Sequence, residues 1–145
     1  MAKLLGNGYM LWIESATAGT FDLIKGQGPL TINRNAASIN LTTKDDSGYG
    51  SSAPGLRDLS IDLDIIPNLP DTNGYTRLEM LANAAVIAPF NIQIRKNGAA
   101  GVSGDAVFAG SVYGNLDSTS FGQDAGVGVK VKLTAAGAPT IDLLA

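Results

Sequence analysis

Asp62 and Asp64 are the residues of this chain best placed to do chemistry. They sit two apart in Leu59-Ser60-Ile61-Asp62-Leu63-Asp64-Ile65, which alternates apolar and polar residues. Period-two alternation marks a strand with one buried and one wet face. Both carboxylates therefore project from one side, roughly 7 Å apart at ~3.3 Å per residue. Carboxylates paired at such a distance suit general acid and base work. Ser60 shares the face but no further polar machinery does, so a solvated strand face is the simpler account. Asp45-Asp46-Ser47 offers oxygen ligands for a hard cation. A calcium loop needs further spaced carboxylates and a closing Glu, and the sequence has neither. A solvated loop, or one that docks on another subunit, is expected there. Gly98, Gly101 and Gly104 lack dinucleotide-loop spacing and precede no helix. Ser103 has neither a nucleophile-elbow setting nor a base. Lys130 and Lys132 share a strand face without an aromatic platform, which suits solubility or the guarding of an edge strand. Tyr9 and Trp12 fall in an apolar stretch and are expected in the core or at a subunit interface.

Composition narrows the chemistry further. The chain has 145 residues, enough for one domain with a real core. It contains no cysteine and no histidine. Disulfides, thiolate nucleophiles, Ser-His-Asp catalysis and the common zinc sites all need one or the other. The expectation is a non-enzyme, with no catalytic residues, no cofactor and no metal site. A formal net charge of −3 lacks the basic footprint of a protein that seeks phosphates. The N-terminus lacks a signal-peptide pattern and the longest apolar run, Ala84–Phe90, is too short to span a bilayer, so synthesis in the cytoplasm without membrane insertion is expected.

The elements that would position these residues are mostly strands. Gly8–Glu14, Phe21–Lys25, Leu30–Asn33, Ser38–Thr43, Leu59–Ile66, Phe90–Lys96, Asp105–Tyr113, Val127–Leu133 and Pro139–Leu144 each read as strand. Arg34-Asn35 reads as a turn and Asn115–Gln123 as a polar connection. Asn97-Gly98 is a hairpin-type turn. The interval 44–55 has no apolar period and is longer than a hairpin needs. One helix is expected at about 75–86, where Tyr75, Leu78, Leu81, Ala82 and Ala85 share a face and Asp71, Thr72 or Asn73 stands ready to cap. The whole of 1–145 reads as a single mainly β domain, a sandwich or barrel with one flanking helix.

Four stretches together resemble the major tail, or tail tube, proteins of long-tailed phages and gene transfer agents. They are the first strand ending near Gly19-Thr20-Phe21; Ile39-Asn40-Leu41-Thr42-Thr43-Lys44-Asp45-Asp46-Ser47-Gly48; Pro54-Gly55-Leu56-Arg57-Asp58-Leu59-Ser60-Ile61-Asp62-Leu63; and a C-terminal half with a helix, Phe108-Ala109-Gly110, Asp124, an alternating strand and Gly137-Ala138-Pro139. The resemblance implies a β-sandwich that forms hexameric rings stacked into a tube, each subunit giving about four strands to a closed inner barrel. It implies partners of three kinds: further copies of the chain; other tail proteins (tape measure, distal tail, terminator); and DNA that passes through the lumen without specific binding. The place would be a virion or particle tail. Barrels of 16–18 strands already leave an aqueous channel, so roughly 24 strands leave a wider one. A non-basic wall would let DNA slide, so Ser60, Asp62 and Asp64 are expected to face the lumen with Asn40 and Thr42 beside them. Lys130 and Lys132 should then point away from DNA or pair with acids. Lys44, Asp45, Asp46 and Tyr49 are expected in the loop that meets a neighbouring subunit or ring. A glycan-binding or capsid-decoration module, or the tube of a contractile tail or secretion system, is the alternative; the glycan module needs exposed aromatics on one face.

Overall fold

In the computed structural model, residues 6–46, 48–50, 52–123 and 126–144 are described. Ser47 and Asp124, both part of the motifs above, lie outside that set, as do the side chains of Asp46 and Ser103.

Strand alternation builds the body of the structure. The strands are β1 (Met10–Glu14), β2 (Phe21–Leu23), β3 (Gln27–Asn40), β4 (Ser52–Ile65), β5 (Phe90–Arg95), β6 (Ala106–Phe121), β7 (Val127–Ala135) and β8 (Ile141–Asp142). Among the described residues there is one α-helix, α1 (Tyr75–Ala82), between β4 and β5. Every pairing is antiparallel, in the order β2-β1-β5-β6-β7-β4-β3, with β8 also on β6.

The long strand β6 makes two layers out of this one path. Its first half, to Val112, pairs with β5, and from Val112 to Phe121 it pairs with β7. One layer is therefore β2-β1-β5-β6 with β8, the other β6-β7-β4-β3. Their apolar rows meet in one core: Leu11 and Ile13, Ile92 and Ile94, Phe108 and Val112 from the first; Ile61, Leu63 and Ile65, Val129, Val131 and Leu133 from the second. Two packed faces that alternate inward-apolar and outward-polar are the expected sandwich. The Gln27 side chain ties the layers at one corner. Its Oε1 accepts the Leu11 N–H at 2.8 Å, and its Nε2 donates to the carbonyls of Leu11 at 2.7 Å and Ile24 at 2.8 Å. The carboxamide thus satisfies the backbone of β1 as a paired strand would.

The helix plugs the core with Tyr75 and Leu78. Of the three expected caps, Asp71 acts. Its Oδ2 accepts the N–H of Tyr75 at 3.0 Å and that of Lys25 at 3.0 Å, so one buried carboxylate fixes both the helix start and the end of β2. Gly74 is needed beside it, because a Cβ there would lie 2.4 Å from that Oδ2.

The helix ends at Ala82, short of the expected 86. Ala82 packs near Gly114, whereas Val86 and Ile87 beyond it are exposed. Short helices persist where tertiary packing holds a face, and this one stops where that surface stops.

Three strand expectations also change. Leu30–Asn33 and Ser38–Thr43 are parts of one strand: Arg34 and Asn35 pair with Leu59 and Asp58 inside β3, so no turn occurs there. The loop expected at 44–55 is shorter on the C-terminal side, because β4 already starts at Ser52. Residues 115–121, expected as connection, continue β6 against β7. In each case a partner strand imposes extended structure on residues of low β propensity, which is how context overrides propensity in sheets.

Candidate functional site

The outer face of the layer β6-β7-β4-β3 is polar from edge to edge. On β4, Ile61, Leu63 and Ile65 are buried, which turns Ser60, Asp62 and Asp64 outward, the two aspartates exposed and Ser60 half-buried. Across the ladder, Asp62 is opposite Lys132 and Asp64 opposite Lys130. Residues directly opposite in an antiparallel pair share a face. The lysines and aspartates therefore occupy the same surface, acid beside base, rather than opposite sides of the sheet. On the other flank Asp62 is opposite Thr31, and Ser60 is opposite Asn33. The Asn33 carboxamide donates to Asp62 Oδ2 at 2.8 Å and reaches Ser60 Oγ at 3.5 Å. β6 completes the surface with Asn115 opposite Lys132 and Ser118 opposite Lys130.

Asn40 and Thr42 are not neighbours of these aspartates. Asn40 pairs with Ser52, and Thr42 lies past the end of β3 with its N–H bonded to Asn40 Oδ1 at 2.9 Å. From Asn33 to Asn40 the strand runs about 23 Å at ~3.3 Å per residue. The polar neighbours the sequence reading missed are Thr31 and Asn33, and their signal was the alternation of Leu30-Thr31-Ile32-Asn33 itself.

Beyond Arg34 the β3–β4 hairpin leaves the body. Residues 34–40 of β3 are all exposed, and the strand pair ends in a short 3-10 turn, Lys44–Asp46. Lys44, Asp45 and Tyr49 are exposed on this arm. So are Ile39, Leu41 and Leu56, the last 87% accessible. Apolar side chains on a projecting hairpin have no core of their own to enter. The arm is tethered at its base, where the Arg34 guanidinium makes a two-pronged ion pair with Asp142 of β8, one bond being Nε to Oδ2 at 3.0 Å. That hydrogen bond holds the Asp142 carboxyl below the usual carboxylate range.

The opposite outer face, on β2-β1-β5, is half-buried and is covered at Trp12 and Phe21 by one arginine. Arg95 is buried with its guanidinium 4.4 Å from the centre of the Trp12 ring and 5.6 Å from that of Phe21. Its Nε donates to Gln93 Oε1 at 2.8 Å, and Nη1 reaches the Gly101 carbonyl at 3.4 Å. Burial lowers its pKa, against the raising effect of Asp105. Trp12 thus serves packing in this chain, half-covered by a cation, instead of offering an open stacking face. Among the described residues no cluster of acidic side chains is arranged to hold a metal ion, and no helix is long and apolar enough to cross a membrane.

A profile of the phage tail tube protein family matches residues 4–141. The chain belongs to the phage tail tube protein family. Membership makes it a structural protein of a tail tube, and the mainly β fold with one helix expected from the sequence is the fold found. Solved tail proteins share the architecture. The tail of an empty gene transfer agent particle, refined helically with C6 symmetry, superposes with a TM-score of 0.75 at 15% identity, over 96% of this chain and 98% of that one. The virion of a native gene transfer agent gives 0.71 at 15% identity, over 94% and 97%. The SPP1 tail tube gives 0.70 at 14% identity, over 97% and 81%. No curated protein matches the chain.

Proposed function

We propose that this tail tube protein assembles as six-membered rings that stack into a conduit for DNA, with the layer β6-β7-β4-β3 as the inner wall. One observation carries the reading. That layer has a polar outer face and two unpaired edges among the described residues, β3 on one side and residues 114–121 of β6 on the other. Open edges of long strands are templates for pairing with another chain, and a closed ring removes them. Joining β3 of one copy to β6 of the next would give a continuous barrel of four strands per copy. The C6 symmetry of the gene transfer agent tail supports six copies.

The wall surface then explains passage without binding. Lysines alone on such a wall would capture phosphates with release of counterions. Here Lys130 and Lys132 each face an aspartate across the ladder, and Asn33, Asn115 and Ser118 add neutral polarity. A duplex would meet no basic stripe to hold it. Asn40 and Thr42 would lie toward the far end of the arm instead of among the wall aspartates, and Lys44, Asp45 and Tyr49 on the arm would meet the neighbouring ring, as would Asp46.

Negative-stain microscopy of the purified protein tests this directly. Rings or tubes about six-fold in projection are expected. Featureless monomers at every concentration, with and without other tail proteins, would contradict it.

A further inference from the structure

The arm needs a seat, and the opposite end of the inner-wall layer has one. β3 and β4 run antiparallel, so the arm (34–59) leaves the layer at one end, while Ile65, Val127 and Phe121 mark the other. There the last rung of the β6–β7 ladder pairs Phe121 with Val127. Phe121 is 81% accessible and Val127 is partly so. Ile66, also exposed, lies against the same corner, since a Cβ on Gly126 would come within 3.2 Å of its Cγ2. Val127, in phase with the buried Val129, Val131 and Leu133, and its partner Phe121 continue the core face past the point where the sandwich covers it, and Ile66 borders them.

We infer that the corner formed by Ile66, Phe121 and Val127 receives the exposed apolar side chains of the arm, Ile39, Leu41, Tyr49 and Leu56, from a copy in the adjacent ring. The inference rests on the tube reading and adds the receiving surface. Three observations choose this occupant. Both surfaces are apolar and uncovered in the single chain, and apolar area removed from water stabilises at about 25 cal/mol per Å². They lie at opposite ends of one layer, so copies stacked end to end in one orientation bring arm to corner at every step. A head-to-tail contact whose rotation does not close repeats as an open filament. The arm also reaches about 23 Å past Asn33 at ~3.3 Å per residue, far enough to enter a neighbour instead of resting on its rim.

The chain has no cysteine, so disulfide trapping gives a clean test. Leu56→Cys and Phe121→Cys are made as single variants, mixed, assembled and oxidised. A mixed disulfide dimer is expected on assembly, at least about tenfold above that from either variant alone, and absent when the proteins are kept dilute. In parallel, Ile66→Asp, at an exposed site outside the β6 edge that closes the ring, is expected to fold with an unchanged melting curve, to form rings, and to lose stacked tubes. Tubes that form with no mixed disulfide, or tubes of wild-type length from Ile66→Asp, would overturn the seat while leaving the tube reading standing. Loss of rings together with tubes in Ile66→Asp would place the contact within a ring and also overturn it. If wild-type protein builds neither rings nor tubes, the tube reading itself fails and the seat with it.

Discussion

The body and the arm of this protein use the same residue types to opposite ends. In the body, Ile61, Leu63 and Ile65 of β4 alternate with Ser60, Asp62 and Asp64, and every apolar member is buried. Five residues before Ile61 on the same strand Leu56 is exposed, and across the hairpin so are Ile39 and Leu41. One strand passes from a region whose apolar side chains meet partners within the chain to one whose apolar side chains find none there. The body carries the information for folding; the arm carries information for a contact with another copy. The comparison predicts that stability and assembly can be damaged separately.

The largest effect should come from the body. Leu133 is fully buried, and Leu133→Ala should cost about 3–5 kcal/mol of unfolding free energy, since it leaves a cavity that a two-layer core cannot collapse. Denaturant unfolding of the unassembled protein measures this; a cost under about 1 kcal/mol would mean the two layers are not packed as described. Asp71→Ala should cost about 2 kcal/mol, because the N–H groups of Lys25 and Tyr75 lose their acceptor together.

The junction between the regions should matter less. Asp142 is held as a carboxylate by Arg34, and the pair is partly exposed, so Asp142→Asn should cost only about 0.5–1 kcal/mol at neutral pH. Its folded-state pKa is depressed, so this stabilisation is present above the unfolded carboxylate value of about 3.9 and is lost as pH falls through the lower folded value. The difference between wild type and variant should therefore vanish in strong acid; a difference that persists there would assign the effect to packing instead.

The smallest effect on stability belongs to the arm. Leu56→Ser with Tyr49→Ser should change unfolding of the single chain by less than about 0.5 kcal/mol, as is usual for exposed sites, yet abolish stacking. A large loss of monomer stability would erase the distinction between arm and body.

Much of this division was legible in the sequence. Alternation located the buried rows of β4, β5 and β7, and missing cysteine and histidine removed most catalytic chemistry. Two things were not legible. The side of the sheet occupied by Lys130 and Lys132 depends on which strands are neighbours, and no local pattern states that β7 lies between β4 and β6. The Arg34–Asp142 pair joins residues far apart in the chain, and Arg34-Asn35 looks locally like a turn because asparagine favours turns. Only the pairing with β4 makes it strand. Phe121 stood in what reads as a polar connection, so its place at the end of a ladder was hidden for the same reason.

A near-atomic helical reconstruction of the assembled protein tests the central claim most directly. The account predicts Asp62, Asp64, Lys130 and Lys132 facing the axis, with β3 of each copy hydrogen-bonded to residues 114–121 of the next. That face turned to the outer surface, or β3 left unpaired in the ring, would contradict it.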